Sequence, residues 1–291
     1  LALSPERLEL ADGDFIDLLW TPDNGGPLVL VVHGLQGSLA SHYSRTTLKS
    51  LHDSGFRSVF MHLRGCSGEP NRLDRSYHSG ATEDLEAVLE HLRHCADDRP
   101  LAAVGFSLGG NLLLKHLGER GDQTPLRAGV AVSVPFRLMD AARRLELGCS
   151  RLYRRHLLSS LQTAYLRKFR DRPPPLAVDV LQLRDFYAFD DEVTAPLNGF
   201  SGADEYYATC SSRRFLLGIT APTLIIHALD DPFVFRETVP EEAELGPGVL
   251  LELSPHGGHV GFVHGTSPRR ARYWTDERIP AFLQDRLKRR G

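Results

Sequence analysis

Three residue types in this chain are spaced so that they could form a nucleophilic site. A serine sits in Gly105-Phe106-Ser107-Leu108-Gly109, two aspartates in Ala228-Leu229-Asp230-Asp231-Pro232, and two histidines in His256-Gly257-Gly258-His259. An alcohol is a weak nucleophile at neutral pH, so Ser107 needs a base to take its proton and a carboxylate to orient that base. The order serine, acid, histidine along the chain is one in which such triads occur. Asp231 fits the acid better than Asp230, because a small residue at a strand end, two further positions and then the carboxylate match Ala228 to Asp231. His259 fits the base better than His256, because Gly257 and Gly258 give the loop freedom to turn back. The two histidines could also be half a metal site, but no third ligand lies at a recognisable spacing, so neither metal nor cofactor is expected.

Such a serine must be presented by its surroundings. The apolar Leu101–Val104 precedes the pentapeptide and the leucine-rich 112–117 follows it, which predicts a strand turning sharply into a helix. Glycines two before and two after the serine allow helix and strand to approach closely. The start of the helix also leaves N–H groups free for a developing oxyanion. One oxyanion donor is expected at the N–H of Leu108, and the second at Leu35, in the loop His33-Gly34-Leu35-Gln36-Gly37. His33 reads as a structural residue ahead of that loop. No Gly-x-x-x-x-Gly-Lys phosphate loop is present.

The elements that would carry these groups alternate. Short apolar runs at 27–34, 58–65, 101–106, 127–136, 221–232 and 248–259 read as strands. Helical patterns fall at 43–55, 81–95, 108–121 and 275–290; Leu85, Val88, Leu89 and Leu92 share one face of the second, and Ile279, Phe282, Leu283 and Leu287 one side of the last. Asp12-Gly13 marks a hairpin near the N-terminus. The alternation breaks after Phe136, where 137–172 is helical without strands and Arg172-Pro173-Pro174-Pro175 follows. The expected class is therefore α/β, a mostly parallel sheet flanked by helices. Its core would comprise 1–136 and 201–291, with 137–200 inserted as a helical cap. In that cap Leu157, Leu161 and Tyr165 share a face that can pack on the core or line an acyl channel. Nine Arg or Lys residues between Arg143 and Arg172, against Glu146 and Asp171, make its outer side basic. That side is either solvated surface or a weak contact for anionic lipid headgroups.

Composition excludes other classes. A net charge of −3 does not suit a nucleic-acid binder, and runs such as Leu28–Val32 are too short to cross a membrane. Cys66, Cys95, Cys149 and Cys210 are widely separated without zinc or redox spacing. They are expected as buried free thiols of a cytoplasmic protein.

With these residues in hand, the chain resembles the α/β-hydrolase superfamily. Within it the chain is similar to the YheT-type hydrolases, bacterial relatives of eukaryotic α/β-hydrolase-domain lipases and of medium-chain ester synthases and esterases. The resemblance runs through RLELADGDFIDLLW (7–20), HGLQGSLASHY (33–43), RGCSGEPNR (64–72), YHSGATEDL (77–85), GFSLGGN (105–111), FDDEVTAPLNGFSGADEYY (189–207), PTLIIHALDDPF (222–233) and HGGHVGF (256–262). It implies Ser107 as nucleophile, an aspartate of Ala228–Pro232 as acid, and His259 as base, acting on small-molecule esters or lipids. Transfer of the acyl group to an alcohol, and a non-catalytic binding protein on the same fold, are the alternatives. An intact Ser, Asp and His weigh against the second. The loop at 64–72 is expected to be structural and to form part of the pocket wall.

Overall fold

The computed structural model describes residues 1–265 and 271–287. A hairpin opens the chain, β1 (Ser4–Glu9) and β2 (Phe15–Trp20), closed at Asp12-Gly13 by the Leu10 N–H donating to the Asp14 carbonyl. Then follow β3 (Leu28–Val32), α1 (Ser44–Asp53), β4 (Arg57–Met61), α2 (Thr82–Cys95), β5 (Leu101–Phe106), α3 (Leu108–Arg120) and β6 (Ala128–Val132). Between β6 and the next strand the chain builds only helices. These are α4 (Leu138–Leu145), α5 (Ser150–Lys168), a 3₁₀ turn at Val180–Gln182, α6 (Phe186–Phe189), a π-helical turn at Asp190–Thr194, α7 (Ala195–Leu197), α8 (Ala203–Cys210) and a 3₁₀ segment at Ser212–Gly218. The sheet resumes with β7 (Thr223–Ala228) and β8 (Val249–Ser254); a short pair β9 (Val263–His264) and β10 (Arg272–Tyr273) precedes α9 (Thr275–Leu287). The end of the helix expected over 275–290 lies outside the described residues.

Eight strands form one sheet in the order β1-β2-β4-β3-β5-β6-β7-β8. The pairings β1–β2 and β2–β4 are antiparallel, and every other one is parallel. Strands β3, β5 and β6 are buried along their whole length, as their unbroken apolar runs require when both faces are covered. Leu85, Val88, Leu89 and Leu92 of α2 pack with Leu112, Leu113 and Leu117 of α3 on one face. Leu48 and Leu51 of α1 pack with Ile279, Phe282, Leu283 and Leu287 of α9 on the other. The sheet's central positions are thus fixed by burial, and the loops at the carboxyl ends of its strands are the places free to carry chemistry.

One expectation needs amendment. Cys149 is exposed and Cys66 and Cys95 are half-buried, so only Cys210 is a buried thiol. The difference at Cys149 is positional: it lies at the solvent-facing start of α5, where no core surrounds it. Helix α8, which begins after residue 200, touches both the core, where Tyr206 Oη accepts from the Ser79 N–H and the Cys210 carbonyl from Asn111, and the inserted helices. Ala203, Tyr206, Tyr207 and Cys210 cluster with Leu138, Ala142 and Leu145 of α4.

Candidate active site

Ser107 follows β5 directly and precedes α3. Its backbone has φ 51° and ψ −116°, a conformation non-glycine residues rarely adopt. The turn is held by Ser107 N–H donating to the Val132 carbonyl at 2.8 Å and Asn111 N–H donating to the Ser107 carbonyl at 2.9 Å. The flanking glycines are required by contact. A Cβ at Gly105 would lie 2.4 Å from the Gly109 carbonyl oxygen, and one at Gly109 would lie 2.5 Å from that of His33. Strand and helix could not close with any larger residue at either place.

The three groups expected to act together come from three strand ends and meet. The Ser107 hydroxyl lies 2.8 Å from His259 Nε2, and His259 Nδ1 lies 2.9 Å and 3.1 Å from the two carboxylate oxygens of Asp231. With Nδ1–H donating to Asp231, Nε2 is free to accept the serine proton. Asp231 is buried, whereas the His259 side chain keeps 12% of its surface exposed. Asp231 also accepts from the Phe233 N–H at 2.8 Å, and the Phe233 ring stacks on His259 at 3.9 Å between centroids. That stack restricts the imidazole to one plane.

Asp230, one residue earlier, faces elsewhere. It accepts from the N–H groups of Gly257 at 2.9 Å and Gly258 at 2.8 Å, and its other oxygen lies 3.4 Å from exposed His256. Desolvation works against its charge, but the Gly258 N–H and its neighbours prevail and hold the carboxyl below its usual range. Asp230 therefore shapes the loop that carries His259. The loop is also pinned by the Val260 N–H, which donates to Ser133 Oγ at 3.0 Å.

Leu35 and Leu108 both line the cavity above Ser107. Among the described residues, neither backbone N–H has a protein acceptor. Gly34 brings the Leu35 loop against the serine: a Cβ there would sit 3.1 Å from Ser107 Cβ. Tyr43 and Tyr77 hold this loop. Their hydroxyls accept from Gly34 N–H at 2.9 Å and Gln36 N–H at 2.8 Å. His33 is fully buried, with Nδ1 against the Gly34 carbonyl at 2.7 Å and Nε2 accepting from Leu63 N–H. Burial pushes its pKa down to about 4, so it is neutral and acts as a brace.

The cavity is largely apolar. Leu138, Ala142, Leu145, Leu157, Leu161 and Phe233 surround the serine end. Arg64 enters the wall locked in place, donating to Asp84 through two bonds of 2.7 Å, to Asp14 at 3.0 Å and to Asp12 at 2.8 Å. The contributions of Phe233, Tyr43, Tyr77 and Ser133 were not read from the sequence. The aromatic after Asp-Asp-Pro was the one available signal.

A mostly parallel sheet with a serine at a strand-to-helix elbow, and a histidine and a buried aspartate at later strand ends, defines an α/β fold that brings these three side chains into one hydrogen-bonded line. Residues 27–266 match the α/β hydrolase fold family, and the chain belongs to it. It is 43% identical over 290 residues to "Putative esterase YheT" of Escherichia coli K12, covering 97% of this chain and 85% of that protein. It is 32% identical to "Phospholipase ABHD3" of Mus musculus, covering 96% and 71%. Among solved structures, the esterase Pf2001 of Pyrococcus furiosus superimposes with a TM-score of 0.65 at 18% identity, covering 98% and 93%, a likeness of fold. No helix of the described residues is long and apolar enough to cross a membrane.

Proposed function

We propose that this protein is a serine hydrolase of carboxylic esters, with Ser107 as nucleophile, His259 as base and Asp231 as the acid. The observation that carries this reading is the continuous line from Ser107 Oγ through both nitrogens of His259 to Asp231, opening on an apolar cavity. His259 Nε2 takes the hydroxyl proton as Ser107 Oγ attacks the ester carbonyl. The oxygen of the tetrahedral intermediate accepts from the N–H groups of Leu35 and Leu108. His259 then gives its proton to the departing alcohol, leaving an acyl-serine. A water molecule repeats the sequence, losing its proton to His259 and releasing the acid and free Ser107. The names of the relatives, an esterase and a phospholipase, support the same reaction class.

The helices between β6 and β7 act in this reading as a cap that selects the acyl chain. Leu157 and Leu161 line the cavity and Tyr165 closes its wall. The outward face supports contact with an anionic lipid surface. Leu147, Leu152 and Tyr153 are exposed there beside the exposed Arg143, Arg151 and Arg155, each such cation near a charged bilayer contributing about 1 kcal/mol.

The test is labelling with a fluorophosphonate together with turnover of p-nitrophenyl esters. Ser107→Ala should abolish labelling and lower kcat by roughly 10⁴–10⁶-fold. Labelling and turnover that persist in that variant would overturn the assignment.

A further inference from the structure

Helix α5 lies over the cavity like a beam fastened at both ends. At its start Ser150 Oγ donates to the Pro232 carbonyl at 2.7 Å, and the Tyr153 ring meets that of Phe233, the residue stacked on His259. At its end Arg167 donates to the Gly65 carbonyl at 3.0 Å and Lys168 Nζ to the Arg75 carbonyl. Leu157, Leu161, Ala164, Tyr165 and Lys168 all line the cavity, the spacing of one helical face. The cavity therefore follows the helix for the eleven-residue rise from Leu157 to Lys168, about 16 Å.

The two ends of this passage differ in chemistry. The Leu157 end is apolar and holds Ser107. At the other end Arg64, Arg167 and Lys168 face the cavity. Arg64 is neutralised by Asp12, Asp14 and Asp84, and nearby Arg172 by Asp74. Arg167 and Lys168 are different: among the described residues neither has a carboxylate within ion-pair distance, and each donates only to a backbone carbonyl. Among the described residues, the one carboxylate in the cavity wall, Asp190, is engaged by Thr194 and Tyr207, each at 2.6 Å. Burial and then Arg172 lower the Lys168 pKa to about 8, with Asp14 and Asp74 pulling the other way and Arg64 adding to the fall. It stays mostly charged at neutral pH. A half-buried cation facing an apolar passage, with no anion of its own, is a place for one on a ligand.

We propose that Lys168 and Arg167 bind an anionic group, a carboxylate or a phosphate, at the far end of an amphiphilic ester whose carbonyl lies at Ser107. This rests on the hydrolase reading and names the substrate class within it. The substrate is an ester in which an apolar stretch of about 16 Å separates the scissile bond from a negative charge. The same length with a neutral end leaves the half-buried Lys168 facing apolar surface without a counter-ion.

Two substrate series distinguish where that charge resides. In one, p-nitrophenyl hydrogen alkanedioates are compared with p-nitrophenyl alkanoates of equal length, placing the anion on the acyl part. In the other, acetates of ω-phosphorylated alkanols are compared with simple alkyl acetates, placing it on the alcohol. The expected result is a ratio of kcat/KM, anionic over neutral, that climbs to about ten-fold in one series at the length that spans the passage. In the double variant Lys168→Met, Arg167→Gln the ratio should return to near one. A ratio that never rises in either series, or that survives in the double variant, overturns the proposal. Calorimetric binding of a long-chain alkyl phosphate to Ser107→Ala protein reads the same site without chemistry. It should weaken about ten-fold when both cations are removed. Binding that depends on them in a protein that hydrolyses no ester would leave the anion site standing and remove the hydrolase reading. Binding unaffected by their loss would remove the site.

Discussion

At the sheet edge each candidate group stands a few residues beyond a strand: Leu35 after β3, Ser107 after β5, Asp231 after β7 and His259 after β8. The strands are locked by burial and by their ladders, so these loops inherit fixed starting points. Over that edge, α4 to α8 form a cavity wall with no ladder to set their positions. They are placed by apolar contact and by a few end fastenings, such as Ser150 to Pro232 and Arg167 to Gly65. The difference separates two tasks. Bond making needs groups placed within a hydrogen-bond length, which backbone geometry supplies. Choosing among chain lengths, the task proposed for these helices, needs shape, which side chains on a helix can supply and exchange without moving the strand-end groups.

The sharpest way to break this comparison is at the two adjacent aspartates. Asp231→Asn should lower kcat about 10⁴-fold while leaving the fold intact, because the imidazole loses the partner that sets its tautomer. Asp230→Asn should cost only about ten-fold, consistent with losing roughly 1.5 kcal/mol of charge-assisted bonding to the Gly257 and Gly258 N–H groups. Steady-state kinetics on both variants checks it, and the reverse ranking would place the acid one residue earlier.

Next in size is the buried ion cluster in the loop after β4. Arg64→Met strands Asp14 and Asp84, both buried, without their cation, and should destabilise the protein by about 3–5 kcal/mol. Denaturant unfolding measures it. A change within error would mean that these carboxylates are satisfied by other donors.

Acid should also weaken the protein through its buried histidines, two of which lie in the sheet and the loop at its edge. Burial lowers His33 to about 4 from an ordinary 6.5, and His227 in β7 to about 4 likewise. A histidine kept neutral by the fold contributes fully above the unfolded value. That contribution is lost as pH falls from about 6.5 toward 4, at about 1.4 kcal/mol per unit for each ring. Thermal unfolding across that range should show a declining Tm, and replacing His33 with Gln should flatten part of the slope. An unchanged slope would remove His33 from the account.

The smallest effect belongs to the cap. Enlarging Leu157 and Leu161 to Phe should move the preferred acyl length downward, by about 0.8 kcal/mol in kcat/KM for each methylene no longer buried. The rate on the shortest ester should hardly alter. A length profile that stays in place would mean that these side chains pack without touching substrate.

The same division governs what could be read in advance. Strands β3 and β5 are unbroken apolar runs, and Gly105, Ser107 and Gly109 have spacing that few other structures demand, so sheet and elbow were legible. Asp231 was separable from Asp230 only by register along β7. The helices after β6 were visible as helices, but the passage beneath α5 was not. It depends on which face of α5 turns inward and on the docking of its two ends to segments roughly eighty and a hundred residues distant in sequence. Neither periodicity nor composition encodes such docking. Tyr43 and Tyr77 were illegible for the same reason: each reaches the Leu35 loop only because the fold brings it there.

The backbone at Ser107 has a further consequence. With φ at 51° and ψ at −116°, the residue occupies ground where only glycine is at ease, and holding a side chain there costs about 1–3 kcal/mol. Selection for endurance and selection for turnover therefore pull position 107 in opposite directions. A library of position-107 variants screened for heat resistance alone should drift toward glycine and yield a sturdier, inert protein, whereas one screened for ester turnover should return to serine.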